Sequence, residues 1–594
     1  MAPLVLILIL GIAAQWLAWR LRIPSILLLL LFGLLAGPVL HLLDPNTLLG
    51  PLLSPVVSLS VALILFEGGL SLHIADLRKV GGVVRNLVTI GAIVTALIAA
   101  AAAHFVLQLP WTFASLLGAI LMVTGPTVIG PLLRHVRPLA RLGAILRWEG
   151  IVIDPLGALC AVLTFQAIHL TNHPDVTNIL ILAAVKTIAV GLAIGFAAAW
   201  AIVYLLRRFW VPDSLHIPLT LATVAGAFVG SEMVQNGSGL FTVTVMGIAI
   251  ANQKRVPIDH ILDFKETLSL ILISSLFIVL GARLQTAQLE ILDWRTLTFL
   301  GILLLLARPA AVWISTLGSD LTWRERAFLG VVAPRGIVAA AVASVFALQL
   351  AQDGVPGAQR LVPLVFLVII GTVVVYGLTA GHIGRWLGVA TPNAQGCLIV
   401  GANPLARLIG RALQEEGHEI LLVDTNRDHI AAARLEGLHA VFGSIVSPLV
   451  QRNLELSSIG RLLALTPNDE INALAAIRYA RIFGRSEVYQ LAPPATDAKA
   501  ELTRDLRGRV LFRKNLTWSA LNNLVNSGAT LKKTRLTEEF DSEAFLRQHG
   551  DRATPLFLIG PGGELLVLTD DQSIEHRPGH TVISLMEPAA TVAR

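Results

Sequence analysis

Thirteen runs of mostly apolar residues, each near the ~20 that a helix needs to cross a bilayer, fill the first 390 positions. They fall at 3–19, 24–41, 53–73, 84–107, 112–133, 146–168, 178–206, 215–233, 238–252, 265–282, 296–316, 327–349 and 361–382. The ninth is short, and Gln235–Gly239 ahead of it reads as a tight turn or a kink. A soluble core cannot hide so many apolar faces. The pattern therefore predicts a polytopic α-helical membrane domain over 1–390, whose backbone satisfies its own hydrogen bonds. Charge density marks its end: residues 1–390 hold 39 Asp, Glu, Lys and Arg, whereas the 204 residues from 391 onward hold 45. Two thirds of the chain is patterned for lipid and one third for water.

The loops give a sidedness. Odd-numbered loops and their edges hold 16 Lys and Arg, among them Arg78, Lys79, Arg134, Arg137, Arg207 and Arg208. Even-numbered loops hold three: Arg283, Arg295 and Arg360. Basic loops stay in the cytoplasm, so the N-terminus is expected outside and the last third inside, in a multi-pass protein of the cell (inner) membrane. The net charge of +6 then reports topology rather than a nucleic-acid partner. Met1–Leu17 has no basic residue ahead of its apolar run and reads as a first span, not a cleaved leader. Cys160 and Cys397, one in each part, imply no disulfide framework, and the 15 histidines show no metal-ligand spacing.

A repeat lies beneath the spans. Shifting the first six by about 209 residues brings them near spans 8–13, and an odd number of spans inverts orientation. Span 5 is interrupted at Thr124-Gly125-Pro126 and span 12 at Ala333-Pro334-Arg335. Paired interruptions of this kind mark transporter binding sites.

Ionisable groups at membrane depth are costly and usually functional. The sequence places Glu67 in span 3, Glu149 and Asp154 in span 6, Lys186 in span 7, Glu232 in span 8, Arg308 in span 11 and Arg335 in span 12. Asp154 is the deepest carboxylate. Burial disfavours its charged form, so it can hold a proton near neutral pH and trade it for a small cation. A site that binds one or the other is the minimum apparatus of exchange. Pro155 interrupts the local helix ladder and frees carbonyl oxygens as further ligands. Arg335 is the natural counter-charge and is expected to pair with Glu149 or Glu67. Each of these groups also has a plain alternative as a structural ion pair between helices. Lys186 and Arg308 read as scaffold or snorkelling residues, and Glu232 as a solvated one.

At these residues the chain resembles the monovalent cation:proton antiporters of the sodium/proton exchanger branch. The resemblance rests on Leu65-Phe-Glu-Gly-Gly69, Glu149-Gly-Ile-Val-Ile-Asp-Pro155, Arg308-Pro309 and Ala333-Pro-Arg-Gly-Ile337. It implies that Asp154 is the proton/cation carboxylate, with Glu149 lining the site and Arg335 bracing it. It also implies a dimerisation domain and a core domain that moves like an elevator. Thr124 is carried with the site at the span 5 interruption. Two positions depart from the family pattern: Gly125 stands where Asp is usual and Ile153 where Asn is usual. Fewer polar ligands favour K⁺, or Na⁺ held loosely. A single exchangeable carboxylate favours one-for-one, electroneutral exchange.

The last third alternates strand and helix. Gly396–Gly401 reads as a buried strand, Leu405–Glu416 as a helix and Ile420–Asp424 as the next strand, with further strands near 438–442, 461–465 and 486–490. This predicts a doubly wound α/β Rossmann-like domain over 394–530. A helix N-terminus there faces a phosphate, and Asp424 faces ribose hydroxyls. The glycine fingerprint is imperfect, reading Gly401-Ala402-Asn403-Pro404-Leu405-Ala406. This segment resembles the TrkA-N type nucleotide-binding domains that regulate potassium channels and transporters, on Leu465-Thr-Pro-Asn-Asp-Glu470 and Asn472. The resemblance implies a homodimer and a regulatory ligand such as AMP, ATP or NAD(H), held at Gly401, Asn403, Asp424, Ser444 and Thr466. Ser444 stands where the family has Asp. A degenerate fold that binds nothing and serves as a dimer platform is the alternative. Residues 531–594 read as a small β-rich regulatory module, with a hairpin turning at Gly560-Pro-Gly-Gly563.

Two other functions remain for such a chain. A membrane-tethered oxidoreductase would need a catalytic acid or base beside the Rossmann unit, and none is visible. A nucleotide-regulated potassium channel or efflux system would need a filter string, and Val375-Tyr376-Gly377 lies within an apolar span.

Overall fold

The computed structural model describes residues 2–21, 23–170, 175–256, 258–283, 293–352, 360–390, 395–447, 450–451, 454, 456, 458–493, 507–512, 516–569 and 579–587. They form two units, Met1–Pro392 and Asn393–Arg594.

The described residues of the first unit are helical apart from short turns and a bridge between Pro138 and Ala390. Among the described residues, eight helices are long and apolar enough to cross a membrane, from Pro3–Leu21 to Leu361–Trp386. Five shorter apolar helices accompany them, at Ser25–Val39, Trp111–Leu121, Gly239–Asn252, Thr267–Ala282 and Val338–Ala347. Gln235–Gly239 is a turn between the helices His216–Val234 and Gly239–Asn252. The helices that carry the site are α1 (Leu53–Leu70), α2 (Trp111–Leu121), α3 (Pro126–Val136), α4 (Ala140–His169), α5 (Gly239–Asn252), α6 (Arg308–Ser315), α7 (Trp323–Val331) and α8 (Ile337–Gln352). Small residues let their backbones meet. A Cβ on Gly69 of α1 would stand 2.8 Å from the Thr244 carbonyl oxygen of α5, and Gly247 closes the same contact from the other side.

The second unit is a doubly wound sheet. Its parallel strands are β1 (Gly396–Val400), β2 (Ile420–Asp424), β3 (His439–Phe442), β4 (Ile459–Ala464), β5 (Val488–Gln490) and β6 (Arg509–Val510), in the order β3-β2-β1-β4-β5-β6. β1 and β2 are buried along almost their whole length, as strands covered on both faces must be. Helices α9 (Pro404–Glu415) and α10 (Arg427–Leu435) cover one face, and α11 (Asp469–Phe483) packs on the other. An antiparallel sheet follows: β7 (Thr530–Arg535), β8 (Ala553–Ile559), β9 (Leu565–Val567) and β10 (Thr581–Met586), in the order β7-β10-β8-β9. The hairpin read at Gly560–Gly563 joins β8 to β9, with Ile559 opposite Leu565. β7 begins the module. Its charged run Lys532-Lys533 gives little hydrophobic signal, so the pattern alone does not show it.

Candidate functional site

Both broken spans are breaks in real helices. α2 ends at Leu121 and α3 begins at Pro126; α7 ends at Val331 and α8 begins at Ile337. The two breaks cross at Gly125 and Gly336. The Gly125 N–H donates to the Pro334 carbonyl at 3.1 Å. A Cβ on Gly125 would stand 2.6 Å from the Gly336 amide nitrogen, so neither glycine has room for a side chain.

A helix that stops inside the protein leaves carbonyl oxygens without partners, and its C-terminal end carries partial negative charge. An arginine meets each of these two ends. Arg335 Nη1 donates to the carbonyls of Met122 (3.5 Å) and Val123 (3.2 Å), just past α2. Arg308 Nε donates to the Leu329 carbonyl (2.9 Å), and its Nη2 to that of Val332 (3.3 Å), at the end of α7.

Asp154 lies in the middle of α4, ahead of Pro155, and is fully buried. Neither carboxylate oxygen has a hydrogen-bond partner among the described residues. Thr124 Oγ1, at the first break, is also buried and unpartnered. Gly157, less than one turn beyond Asp154, packs directly on Val123, which brings this part of α4 against the break. A carboxylate and a hydroxyl are thus left unsatisfied beside a helix interruption, where a proton or a bare cation would satisfy them. The donor set is all oxygen, which suits a hard monovalent cation.

The expected pairing of Arg335 with Glu149 or Glu67 is corrected. Glu149 is held by Arg308, with Nη1 on Oε1 and Nη2 on Oε2, the latter at 2.9 Å. Both side chains are 4% exposed. Helical periodicity explains the separation: five residues turn the helix by roughly 140° beyond a full circle, so Glu149 and Asp154 project from different sides of α4. Arg308 is accordingly the ion-pair arginine, and Arg335 serves the helix end. Two lone opposite charges in apolar spans were the available signal for this pair. Glu67 is half-buried and accepts from Ser269 Oγ at 3.2 Å, in a small cleft with Phe66, Thr220 and Phe264. Glu232 is not simply solvated: its carboxylate accepts the Gly237 and Gly239 N–H groups at 2.8 and 3.0 Å and caps the start of α5. Lys186 is exposed.

In the second unit the crevice opens between β1 and β4, where the strand order reverses, the usual ligand position in such sheets. Gly401 follows β1 with φ +102°. Asp424 ends β2; its Oδ2 accepts the Ala402 N–H at 2.7 Å and meets His429 Nδ1 at 3.0 Å, and its Oδ1 accepts the Asn426 N–H at 2.9 Å. Asn403 replaces the second glycine of the fingerprint. Its Nδ2 donates to the Leu465 carbonyl across the crevice at 2.7 Å, and its Oδ1 accepts the Ala406 N–H at 3.0 Å. Pro404 brings no N–H to the helix start. Thr466 Oγ1 is bonded to Asn472 Oδ1 at 2.7 Å and orders its own loop. Ser444, half-buried, follows Gly443 after β3. These residues fit the ribose end of a nucleotide, whereas Asn403 narrows the phosphate end.

The transmembrane sodium/hydrogen exchanger family model matches residues 4–386, and the TrkA-N domain model matches 397–503. The K(+)/H(+) antiporter NhaP of Alkalimonas amylolytica is 26% identical over 391 residues, covering 65% of this chain and 67% of its own length. The K(+)/H(+) antiporter NhaP2 of Shewanella sp. (strain ANA-3) is 26% identical over 377 residues, and this chain spans 64% of its length. The Na(+)/H(+) antiporter 1 of Methanocaldococcus jannaschii is 28% identical over 397 residues, covering 65% of this chain and 93% of its own. Among solved structures, the sodium proton antiporter MjNhaP1 from Methanocaldococcus jannaschii has a similar fold, with TM-score 0.58, 24% identity and coverage of 64% of this chain and 97% of that one.

Proposed function

The chain belongs to the sodium/hydrogen exchanger family, with a TrkA-N domain behind its membrane part, and from that premise we propose that it exchanges K⁺ or Na⁺ for H⁺ at Asp154. Its homologues are transporters, not enzymes. The observation that carries the reading is a fully buried carboxylate with both oxygens unsatisfied, beside crossed helix breaks and an unsatisfied Thr124 hydroxyl.

In one state Asp154 holds a proton; in the other it holds the cation, with Thr124 and carbonyl oxygens freed by Pro155 completing the shell. Mutually exclusive occupancy couples the two gradients when access alternates between the sides. One carboxylate cycling between two monovalent partners gives electroneutral exchange. Gly125 and Ile153 add no ligand, which favours the larger, more weakly hydrated K⁺ over Na⁺.

The eight long and five shorter apolar helices support thirteen spans. An inverted repeat is supported by the matched breaks in spans 5 and 12. A turn of π-helix at Leu87–Gly91 in span 4 and another at Leu303–Ala307 in span 11 support it further. The protein is read as an inner-membrane homodimer with its N-terminus outside. The 394–530 domain sits in the cytoplasm, regulating exchange through a nucleotide at Asp424 and Gly401, and 531–594 is a further regulatory module.

The test is proton flux in proteoliposomes carrying a pH-sensitive dye, on addition of K⁺ or Na⁺. Exchange without change in membrane potential is expected, lost in Asp154→Asn. Full exchange in a folded Asp154→Asn protein would refute the assignment.

A further inference from the structure

The chain does not leave its last membrane helix, Leu361–Trp386, in a straight line. Gly388 takes φ +69°, and the residues after it fold back against the helices that carry the site. The Val389 N–H donates to the Gly384 carbonyl at 2.9 Å, and the Val389 carbonyl accepts the Leu139 N–H at 2.9 Å. Pro138 and Ala390 form an antiparallel bridge. Leu387, Val389 and Ala390 are buried in one cluster with Val136 at the end of α3 and Phe328 of α7. This strap draws three separate connections to one place: the turn between α3 and α4, the start of α7 and the end of the last helix.

Each connection brings arginine. Arg137 and Arg141 come from the first, Arg324 from the second and Arg385 from the third. Arg137, Arg324 and Arg385 are exposed, and Arg141 is half-buried. None of the four has a carboxylate partner among the described residues. Glu325, the acid nearest to them in sequence, is buried, and its Oε2 accepts the Thr322 N–H at 2.8 Å. A Cβ on Gly388 would stand 3.9 Å from Arg324 Nη1, so this guanidinium reaches the strap. Arg137 ends α3 in the left-handed region, φ +48°, where glycine is the ordinary residue. A strained backbone that carries a long cationic side chain points to a use for that side chain. Two tryptophans stand among the arginines, Trp323 at 59% exposure and Trp386 at 82%. Trp386 closes an outward row on the last helix, Val374, Leu378, His382 and Trp386, all exposed and four residues apart. A row that is apolar at one end and tryptophan at the other runs from hydrocarbon to headgroup level. The strap thus holds these arginines where lipid phosphates lie.

We infer that the arginines gathered by the strap bind the phosphate of an anionic phospholipid headgroup. A guanidinium meets phosphate oxygens through two parallel N–H bonds, and the exposed indole rings settle at the same depth. A zwitterionic lipid offers the same phosphate but brings its own ammonium into the basic patch, so preference for an anionic headgroup is the signature. The test is thermal melting of the full chain in detergent micelles doped with phosphatidylglycerol or with phosphatidylcholine. It reads lipid binding whether or not the protein exchanges ions. At roughly a hundredfold excess over its Kd, phosphatidylglycerol should raise the Tm by about 3 °C above phosphatidylcholine. Arg324→Gln/Arg385→Gln should lose most of that difference. The difference is read within each variant, so a change in the variant's own stability cancels. Arg207→Gln/Arg208→Gln, at an exposed basic turn elsewhere in the unit, should keep it. Equal Tm in the two lipids overturns the inference. So does a full difference kept by Arg324→Gln/Arg385→Gln, an equal loss in Arg207→Gln/Arg208→Gln, or a shift as large from inorganic phosphate alone.

Discussion

Removing the Glu149 carboxylate tests whether the buried pair holds the crossing together. Glu149→Gln keeps the shape of the side chain but leaves the Arg308 guanidinium buried, with one amide oxygen where two carboxylate oxygens stood. Both partners are 4% exposed, so water cannot replace the lost contact. Breaking one side of a buried pair costs about 3–5 kcal/mol, most of it from the stranded charge. An unfolding entropy of roughly 2 cal/mol/K per residue over the 392 residues of the membrane unit converts this to a drop of about 4–6 °C in Tm. Arg308→Met should fall further. It strands the carboxylate and also the Leu329 and Val332 carbonyls at the end of α7, about 1–3 kcal/mol for each buried acceptor left unpaired. The double variant Glu149→Gln/Arg308→Met should be less destabilised than the two single changes added together, because no charge is left alone. Thermal melts of the detergent-purified protein, followed by size-exclusion fluorescence, measure all three. A shift under about 1 °C for Glu149→Gln, or strict additivity in the double variant, would refute the reasoning.

Three other outcomes are expected. Gly247→Val should separate α1 from α5, because Gly69 and the Phe66 carbonyl leave no space there. A loss of about 1–3 kcal/mol, read as a lower Tm, is the expected size. His418 is 6% exposed, and burial together with nearby Arg461 holds its pKa below the usual 6.5. The unfolded chain therefore takes up this proton first, so stability is whole above about pH 6.5 and declines as pH falls from there toward the folded value. Melts of the second unit in the full chain should show this slope, and His418→Gln should flatten it. Asn403→Gly restores the fingerprint glycine and removes the side chain that crosses to Leu465, losing only a few tenths of a kcal/mol of capping. Calorimetry should find NADH bound more tightly than by the parent; unchanged or weaker binding would show that Asn403 does not narrow the phosphate end.

Much of this protein is legible in one dimension because its strongest physical signals are local. Lipid demands runs of apolar residues, so the division near residue 390 and the places of the helices follow from hydropathy. Glycine and proline act on their own backbone, so both helix breaks are visible at Thr124–Pro126 and Ala333–Arg335. Asp154 stands out because a carboxylate in an apolar run has no local partner. The β-α-β alternation and Asp424 at a strand end are local in the same way.

Tertiary structure decided whatever depends on direction and partner. The interruption in span 12 pointed to Arg335 as the partner of Glu149 or Glu67, but α4 turns Glu149 away from Asp154 and toward Arg308, 159 residues along the chain. Arg335 found carbonyl oxygens instead, a partner that no side-chain pattern announces. The absence of an acid at Gly125 looked like a lost ligand, and the fold gives it a steric reason, since Gly336 fills the space. Asn403 looked like an imperfect fingerprint, and the sheet shows it reaching Leu465 across the crevice. A chain encodes which groups it must satisfy, but only the packed helices and strands determine which neighbour satisfies them.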